Sequence, residues 1–420
     1  MKRTLIILLA IIGLAACTEK MKIDTQVGAQ LVGVSASITP EPSSAPPAPS
    51  MKRKIVRRLL LWILLLPVAV LLLFTLGTWF HHRVKTGQEL KLLIEKGYVN
   101  PVSVGEYSLN VAKFGKEQGR HTIVGLAGLG MGDFPVVARR MTAHLEDDNT
   151  VVFADRAGYG LSDDTDREMT LEHIVEDYRM ALKNAGIEPP YVLLAHSIGG
   201  MYASWWAGNY PDEIEAVILI DGTQLSETTY DDEPDSDSPV TFEDRALAFL
   251  AKLGISRYVL RNEHYLYPDP FSEEEQALGD ALDLMTQDSV APVSESALRR
   301  QNARTAWSGI ATNDIPKLYI CSSWGAQTKE DLIERNQWLN GQITKNHVDQ
   351  PLLRTDFDDE TAEKILNRMA ELRQTILSPY ADKMGNCRIV LLPGIHAIYE
   401  QKPDACGKLI LDFISALPAE

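Results

Sequence analysis

The stretch that decides the fold runs from residue 191 to residue 200 and reads Tyr191-Val192-Leu193-Leu194-Ala195-His196-Ser197-Ile198-Gly199-Gly200. Its first half is an apolar run with the length of one buried strand, and its second half has the small residues that a tight turn requires. Ala195 and Gly199 flank Ser197 two residues away on each side, so a strand and a helix can approach each other closely. We therefore predict a strand that passes through a strained turn at Ser197 directly into a helix.

Outward from this turn, short β-branched runs alternate with longer helical patterns from residue 102 onward. That alternation is typical of parallel strands joined by crossover helices. Strands are predicted at 102–107 and 109–114 as an opening hairpin, then at 122–126, 150–154, 191–195, 216–220, 317–321 and 387–392, and helices at 135–145, 171–185, 200–209 and 404–416. The predicted fold class is α/β, with a mostly parallel eight-stranded sheet and helices on both of its faces.

Two long segments interrupt the alternation, residues 224–314 and residues 324–385, and both have helical patterns. The first begins with an acidic loop that contains Ser and Pro. We expect residues 224–314 to form a helical lid insertion above the strand ends. A solvated decoration without a gating role is the alternative.

The turn at Ser197 has the form of a nucleophile elbow, which lifts a hydroxyl above the sheet. Of the nine histidines, only His396 follows a late apolar strand in a Gly-x-His turn, and it comes after Ser197 in the chain. We predict that Ser197 is a nucleophile and that His396 is its general base. His196 is adjacent to Ser197, so we expect its side chain to point elsewhere and to pack.

The third member of such a triad is a carboxylate that holds the imidazole. The loop after the seventh predicted strand, Ser322 to Thr328, contains none. Asp221 stands at the exit of the sixth predicted strand, where a carboxylate can reach a His that follows a neighbouring strand. We predict Asp221 as the acid, with a loop-capping role as the alternative; Asp331 and Asp382 are the fallback candidates.

An oxyanion that forms at Ser197 needs backbone N–H donors. The Ile198 N–H begins the following helix and can supply one of them. The Gly-rich loop 125–132 after the third predicted strand can supply the second, which we assign to Leu129, with Gly130 as the alternative. This loop lacks the G-x-G-x-x-G spacing of dinucleotide sites.

Together with the segment Asp155-Arg156-Ala157-Gly158-Tyr159-Gly160-Leu161-Ser162 and with Asn209-Tyr210-Pro211, the elbow and the Gly394-x-His396 turn resemble the α/β-hydrolase superfamily over residues 102–418. The resemblance implies acyl transfer to Ser, hydrolysis by water and no cofactor or metal. Relatives that cut epoxide or C–halogen bonds carry Asp in place of this Ser. Small-molecule or lipid carboxylic esters are the expected substrates. The alternatives are amide cleavage, as in aminopeptidase relatives, and a non-catalytic membrane-tethered binding module.

The N-terminal region carries two membrane signals. Residues 1–20 have a basic start, an apolar run and small residues before Cys17, which is the layout of a secretory signal and resembles a bacterial lipobox. A Pro-rich linker completes residues 1–50. We favour Met51 over Met1 as the functional start, so residues 1–50 need not belong to the functional product.

Residues 51–86 read as a transmembrane helix with a basic flank, since residues 59–80 are almost free of charge. Five Lys or Arg residues precede this run, whereas Arg83 and Lys85 closely follow it. The positive-inside bias predicts that the hydrolase domain, residues 87–420, lies outside the cytoplasm, in the bacterial cell envelope.

Net charge bears on the kinds of partner that the chain can bind, and cysteine content bears on its disulfide bonds. The net charge is -16; residues 1–86 hold 11 basic and 3 acidic residues, which leaves -24 for the remainder. That acidity argues against nucleic-acid binding. The four cysteines are too few for a disulfide framework. Pairing of Cys387 with Cys406 and two buried free thiols are both left open.

Overall fold

The computed structural model describes residues 51–232, 240–259, 271–345 and 350–417. The chain divides into two compact units, of which the first ends at Leu76 and the second spans Gly77–Glu420. The predicted lipobox around Cys17 and the Pro-rich linker lie outside the described residues.

Helix α1, Met51–Glu95, provides the described part of the first unit and continues into the second. Its apolar side chains between Leu59 and Phe80 are mostly exposed; Trp62 keeps 67% of its surface accessible and Leu73 keeps 70%. Within the described residues, this is the one helix long and apolar enough to cross a membrane, judged by length and composition. The helix extends nine residues beyond the predicted end of the transmembrane segment at residue 86.

The second unit is built on an eight-stranded sheet with the strand order β1-β2-β4-β3-β5-β6-β7-β8. Its strands are β1 Pro101–Ser103, β2 Ser108–Gly115, β3 Thr122–Leu126, β4 Thr150–Ala154, β5 Tyr191–His196, β6 Ile214–Ile220, β7 Lys317–Cys321 and β8 Cys387–Leu391. The pairs β1–β2 and β2–β4 are antiparallel and all later pairs are parallel. The predicted fold class, a mostly parallel eight-stranded sheet with helices, is therefore confirmed.

The central strands are apolar throughout because helices cover both faces of the sheet. Along β6, Val217 and Leu219 enter one core layer, whereas Ala216, Ile218 and Ile220 enter the other. This alternation follows the two-residue period of a strand.

The helices that follow α1 are α2 Phe134–Val137, α3 Arg139–Thr142, α4 Leu171–Asn184, α5 Gly199–Asn209, α6 Phe242–Lys252, α7 Ser256–Val259, α8 Glu273–Gln287, α9 Ala291–Gly309, α10 Lys329–Lys345, α11 Asp359–Leu372, α12 Ser378–Met384, α13 Ile398–Gln401 and α14 Pro403–Ile414. Within the described residues between β6 and β7 lie four of these helices, α6 to α9. Helix α9 packs on α5 and buries Ala303 and Ala306 in the main core layer. It therefore serves as the crossover between β6 and β7.

The segment predicted as one helix at 135–145 is broken into α2, α3 and a 3₁₀ turn, Ala143–Leu145. The Ala138 N–H donates four residues back to Phe134, whereas the Met141 N–H donates only three residues back to Ala138. This tighter bond interrupts the α-helical ladder. The remaining predicted elements differ from the observed ones mainly at their ends, most at the opening hairpin, where β1 is only three residues long.

Cys387 and Cys406 are both free thiols. Cys387 packs against the core layer that contains Val217, whereas Cys406 is buried in the opposite layer and contacts Met141. The sheet separates the two side chains, so the disulfide left open by the sequence is not formed.

Candidate active site

The carboxyl ends of the parallel strands meet at one edge of the sheet. Ser197 follows β5, Asp221 follows the neighbouring β6, and the loop after β8 carries His396. Ser197 has φ +53° and Asp221 has φ +43°, so both bends lie in the left-handed region that L-residues rarely adopt. Such strain persists only where the surrounding structure holds it, and it is often found at functional sites.

Gly199 shows why the elbow needs small residues. A Cβ atom added there would lie 2.5 Å from the Leu126 carbonyl oxygen and 2.9 Å from that of Ala127. Both atoms belong to backbone, which cannot give way as a flexible side chain can. The start of α5 can therefore approach the end of β3 only because position 199 has no side chain.

Three of the predicted site residues form one hydrogen-bonded series. The Nε2 atom of His396 lies 2.8 Å from Ser197 Oγ, and its Nδ1 atom lies 2.7 Å from Asp221 Oδ2. If Nδ1 carries the proton and donates it to the carboxylate, Nε2 is free to accept the Ser197 hydroxyl. The side chain of His396 is half exposed, so a substrate can reach this end of the series.

Asp221 is held by more partners than the sequence indicated. Its carboxylate accepts hydrogen bonds from the Ser322 N–H (2.8 Å), the Ser323 N–H (3.1 Å) and the Ser323 hydroxyl (2.5 Å). Burial by itself would raise the pKa of Asp221, but the hydrogen bonds from His396 and the two serines hold the pKa below its ordinary value. The carboxylate therefore stays ionised beside the imidazole.

The loop after β7 thus contributes donors instead of an acid. The sequence shows that the loop at Ser322-Ser323 has no carboxylate. It does not show that both serines donate hydrogen bonds to Asp221. Asp331 accepts from the Gln327 and Thr328 N–H groups and so caps the N-terminus of α10. Asp382 lies on α12. Of the three candidate acids, the structure brings Asp221 to the imidazole.

His196 is fully enclosed, as expected for a packing residue. Its ring stacks on Phe134 at an interplanar angle of 12° and meets Tyr399 edge-on. Burial and the neighbouring His396 lower the pKa of His196 to about 3. The ring is therefore neutral, and its Nε2 atom lies 3.3 Å from the His396 carbonyl oxygen.

The predicted oxyanion donors lie on the two segments beside Ser197. Gly128 approaches so closely that a Cβ there would be 3.3 Å from the Ser197 Cβ. Among the hydrogen bonds of the described residues, neither the Ile198 N–H nor the Leu129 N–H has an acceptor. The Gly130 N–H donates to the Tyr159 hydroxyl at 3.1 Å, so the alternative donor is already engaged.

A buried ion pair fixes the loop that carries Leu129. Arg156 donates to the carbonyls of Ala127 (2.7 Å) and Gly128 (2.8 Å), and its Nε donates to Glu295 at 3.0 Å. Glu295 also accepts from the Tyr202 hydroxyl on α5 at 2.6 Å. Burial opposes the charge of Arg156, but the Glu295 carboxylate keeps its pKa raised.

In the sequence, Arg156 stands out only as part of the segment 155–162, and Glu295 was not among the predicted site residues. A signal was available, because Glu295 stands four residues after Ala291 and three before Leu298 on the buried stripe of α9. A carboxylate on an apolar stripe requires a buried partner. The pair therefore joins α9, α5 and the loop after β3 at one point.

With this geometry established, similarity to known proteins identifies the family. A family model described as alpha/beta hydrolase fold matches residues 124–347, just over half of the chain. The chain belongs to the α/β-hydrolase family.

Curated relatives of this α/β hydrolase match over shorter stretches. It is 33% identical to the uncharacterized protein YbdG of Bacillus subtilis over 153 residues, which cover 36% of this chain and 46% of that protein. It is 30% identical to the uncharacterized protein YqjL of the same organism over 100 residues, covering 24% and 39%. The matched parts thus span less than half of these relatives.

Among solved structures, the epoxide hydrolase CorEH resembles the chain with a TM-score of 0.51 at 16% identity, covering 76% of this chain and 99% of that one. At this identity the likeness concerns the fold alone.

Loss of the Glu295 carboxylate should leave the Arg156 charge buried and unpaired. We expect Glu295→Ala to lower the free energy of unfolding by about 3–5 kcal/mol. The measurement is denaturant unfolding of the full chain in detergent micelles. Glu371→Ala is the matched control, because it removes an exposed Arg–Glu pair with Arg368 and should change stability little. Equal effects of the two substitutions would contradict a structural role for the buried pair.

Proposed function

We propose that this α/β hydrolase is a serine hydrolase that cleaves carboxylic esters, including lipid esters, through an acyl-enzyme intermediate. The observation that carries the proposal is the hydrogen-bonded series from Ser197 through His396 to Asp221, with separations of 2.8 and 2.7 Å. These distances lie within the range that proton transfer between a nucleophile and its base requires.

In the proposed first step, Ser197 Oγ attacks the ester carbonyl carbon and its proton moves to His396 Nε2. The ionised Asp221 orients the imidazole and stabilises the imidazolium that forms. The carbonyl oxygen becomes an oxyanion, which accepts hydrogen bonds from the Ile198 and Leu129 N–H groups. When the tetrahedral intermediate collapses, the C–O bond to the leaving group breaks and the imidazolium protonates the departing alcohol.

In the second step, water attacks the acyl-Ser197 ester while His396 accepts its proton. Collapse of this intermediate returns the proton to Ser197 Oγ and releases the carboxylic acid. No step requires a redox partner or a cofactor. The rigid hold of Arg156 on the carbonyls of Ala127 and Gly128 supports the proposal, because preorganised donors contribute most to such catalysis.

Membrane attachment is part of the proposal. The exposed apolar residues of α1 between positions 59 and 80 would be unfavourable in water and fit the thickness of a bilayer core. The excess of basic residues before this run favours a cytoplasmic N-terminal side and a hydrolase domain in the cell envelope.

Ser197→Ala should abolish both covalent labelling by a fluorophosphonate and hydrolysis of a p-nitrophenyl ester, since no hydroxyl remains to be acylated. Labelling is read by gel fluorescence and by mass spectrometry of the adduct. Ser308→Ala is the control, because this exposed hydroxyl donates a hydrogen bond to the Arg304 carbonyl and takes no part in the hydrogen-bonded series at Ser197. The proposal requires a covalent adduct on Ser197. Folded protein that forms no adduct on this residue would favour a non-catalytic binding module.

Asp221→Asn should lower kcat for ester hydrolysis by about three to four powers of ten, because the amide no longer stabilises the imidazolium or selects its tautomer. Steady-state kinetics on a soluble ester provide the measurement. Asp331→Asn and Asp382→Asn serve as controls and should retain a kcat close to that of the parent. A large loss in either of them, with Asp221→Asn nearly unaffected, would reassign the acid.

Orientation is testable with a reporter enzyme that is active only outside the cytoplasm, fused after Glu420. We expect activity from this fusion in intact cells, because the basic residues that precede the span should remain inside. Replacing Lys52, Arg53 and Lys54 by Gln should reduce the reporter activity, because it weakens the charge bias that sets the orientation. Activity from a cytoplasm-specific reporter at the same position would reverse the proposed topology.

A further inference from the structure

The end of the apolar run of α1 and the turns that follow it pack against the segment between β6 and β7. We call residues 240–259 and 271–287 of that segment, which include α6, α7 and α8, the cap. Thr78 and His82 are buried beneath it. A Cβ at Gly254, where φ is +78°, would lie 2.5 Å from the His82 Cβ and 2.8 Å from the Thr78 carbonyl oxygen. The cap backbone therefore contacts α1 directly at this turn.

A polar cluster around Arg257 holds the same contact. Its Nε donates to His82 Nδ1 at 2.9 Å, and its terminal nitrogens donate to the Glu89 carboxylate at 2.7 and 2.5 Å and to the Thr86 hydroxyl at 2.9 Å. The side chain of Arg257 is 10% exposed and that of Glu89 is 21% exposed. Such a shielded, bidentate Arg–carboxylate pair is a specific attachment and not a loose surface contact.

His82 extends this attachment to the next cap helix. Its Nε2 atom lies 3.5 Å from Asp288 Oδ2, directly after α8. Lys96, directly after α1, forms an exposed ion pair with Glu274 in the first turn of α8. Both ends of α8 thus contact α1 or the residue that directly follows it.

Large aromatic side chains remain exposed on the elements that form this attachment. Trp79 and Phe80 on α1 keep 41% and 63% of their surface accessible, while Phe249 and Tyr258 on the cap keep 61% and 54%. The Tyr258 hydroxyl lies 3.0 Å from His81 Nδ1, so the exposed residues of α7 and α1 are neighbours. Trp and Tyr favour the headgroup region of a bilayer, where an apolar ring and a polar tip are both accommodated.

We propose that the cap lies on the bilayer surface, with Trp79, Phe80, Phe249 and Tyr258 among the lipid headgroups, and that the hydrolase takes its ester substrates from the membrane. The apolar run ends at Phe80 and each helical residue advances only about 1.5 Å. The turn from Thr78 to His82 therefore lies at the membrane boundary. Because the Gly254 turn and α7 contact this turn, this part of the cap lies at the same depth. This inference rests on the serine-hydrolase function and the membrane span proposed above.

The cap also contacts the loop beside Ser197, which connects the membrane surface to the proposed chemistry. The Asp133 N–H donates to Asp283 Oδ1 at 3.0 Å, and the Gly160 N–H donates to Thr286 Oγ1 at 2.9 Å. Asp283 and Thr286 lie on α8, within five residues of Asp288. One helix therefore borders both the membrane-proximal turn and the Gly-rich loop 125–132, which directly precedes Asp133.

The net charge of the hydrolase domain limits the class of lipid that we propose as substrate. Residues 87–420 carry a net charge of -24, so their field repels anionic headgroups. Zwitterionic or neutral ester lipids are the substrates that this surface fits, and phosphatidylcholine is the appropriate test bilayer.

Spin-label depth measurements test the placement without any assay of activity. A nitroxide is attached to Phe249→Cys or Tyr258→Cys in the full chain, with Cys17→Ser and Cys387→Ala, and the protein is placed in phosphatidylcholine nanodiscs. We expect oxygen to relax these labels more strongly than a water-soluble nickel chelate does. Met180→Cys on α4, 42% exposed, is the matched control and should show the reverse. Nickel accessibility at Phe249 and Tyr258 equal to that at Met180 would overturn the placement.

Kinetics test the delivery of substrate. The ratio of hydrolysis of an ester lipid in phosphatidylcholine vesicles to that of a soluble p-nitrophenyl ester should fall at least about fivefold in the double variant Phe249→Ser, Tyr258→Ser. Met180→Ser should leave this ratio unchanged. An unchanged ratio in the double variant would contradict delivery from the membrane. If neither ester is hydrolysed while the labels still enter the bilayer, the serine-hydrolase proposal fails and the membrane placement stands.

Discussion

The close approach of two backbones at Gly199 is the constraint on which the site depends. Because position 199 has no side chain, α5 begins within contact of the end of β3, and the chain at Ser197 is forced into the left-handed region. The parallel register of β5 to β8 then brings Asp221 and His396 to the same edge of the sheet. A looser bend would leave the Ser197 hydroxyl among the strand ends instead of above them.

A strained bend also needs rigid surroundings, and the Arg156–Glu295 pair provides them. Two charges removed from water cost free energy, so the pair persists only with its remaining hydrogen-bonding groups satisfied. Here Glu295 accepts from Arg156 and Tyr202, while Arg156 donates to two loop carbonyls. The carbonyl oxygens are thus turned toward the guanidinium, which leaves the Leu129 N–H of the same loop without an acceptor among the described residues.

Much of the sheet could be predicted because strands buried on both faces are read directly from continuous apolar runs. The strands 122–126, 150–154 and 317–321 were predicted with their observed bounds. Local signals also led to the predictions for Ser197 and His396, since each stands at a strand exit with a distinctive turn. The choice among Asp221, Asp331 and Asp382 needed tertiary structure. Their positions in the sequence do not show which carboxylate reaches the His396 imidazole, whereas the structure places Asp221 beside it. Glu295 and Ser323 act across sequence separations of 139 and 102 residues, which no local pattern reports.

The attachment of the cap limits how the site can open. Asp288, directly after α8, contacts His82 of α1, Glu274 of α8 pairs with Lys96 directly after α1, and Asp283 and Thr286 contact the loops around Ser197. A swinging lid would have to break the largely buried contacts of Asp283, Thr286 and Asp288 at once, and buried polar groups are costly to leave unsatisfied. Motion of the cap is therefore easier to accommodate in α6, whose Phe242 and Phe249 are exposed and whose Arg245 holds only a surface ion pair with Asp166. If α6 moves while α8 stays in place, the Gly-rich loop 125–132 keeps its geometry during substrate entry. Access from the membrane would then leave the backbone N–H donors of the proposed oxyanion site in position.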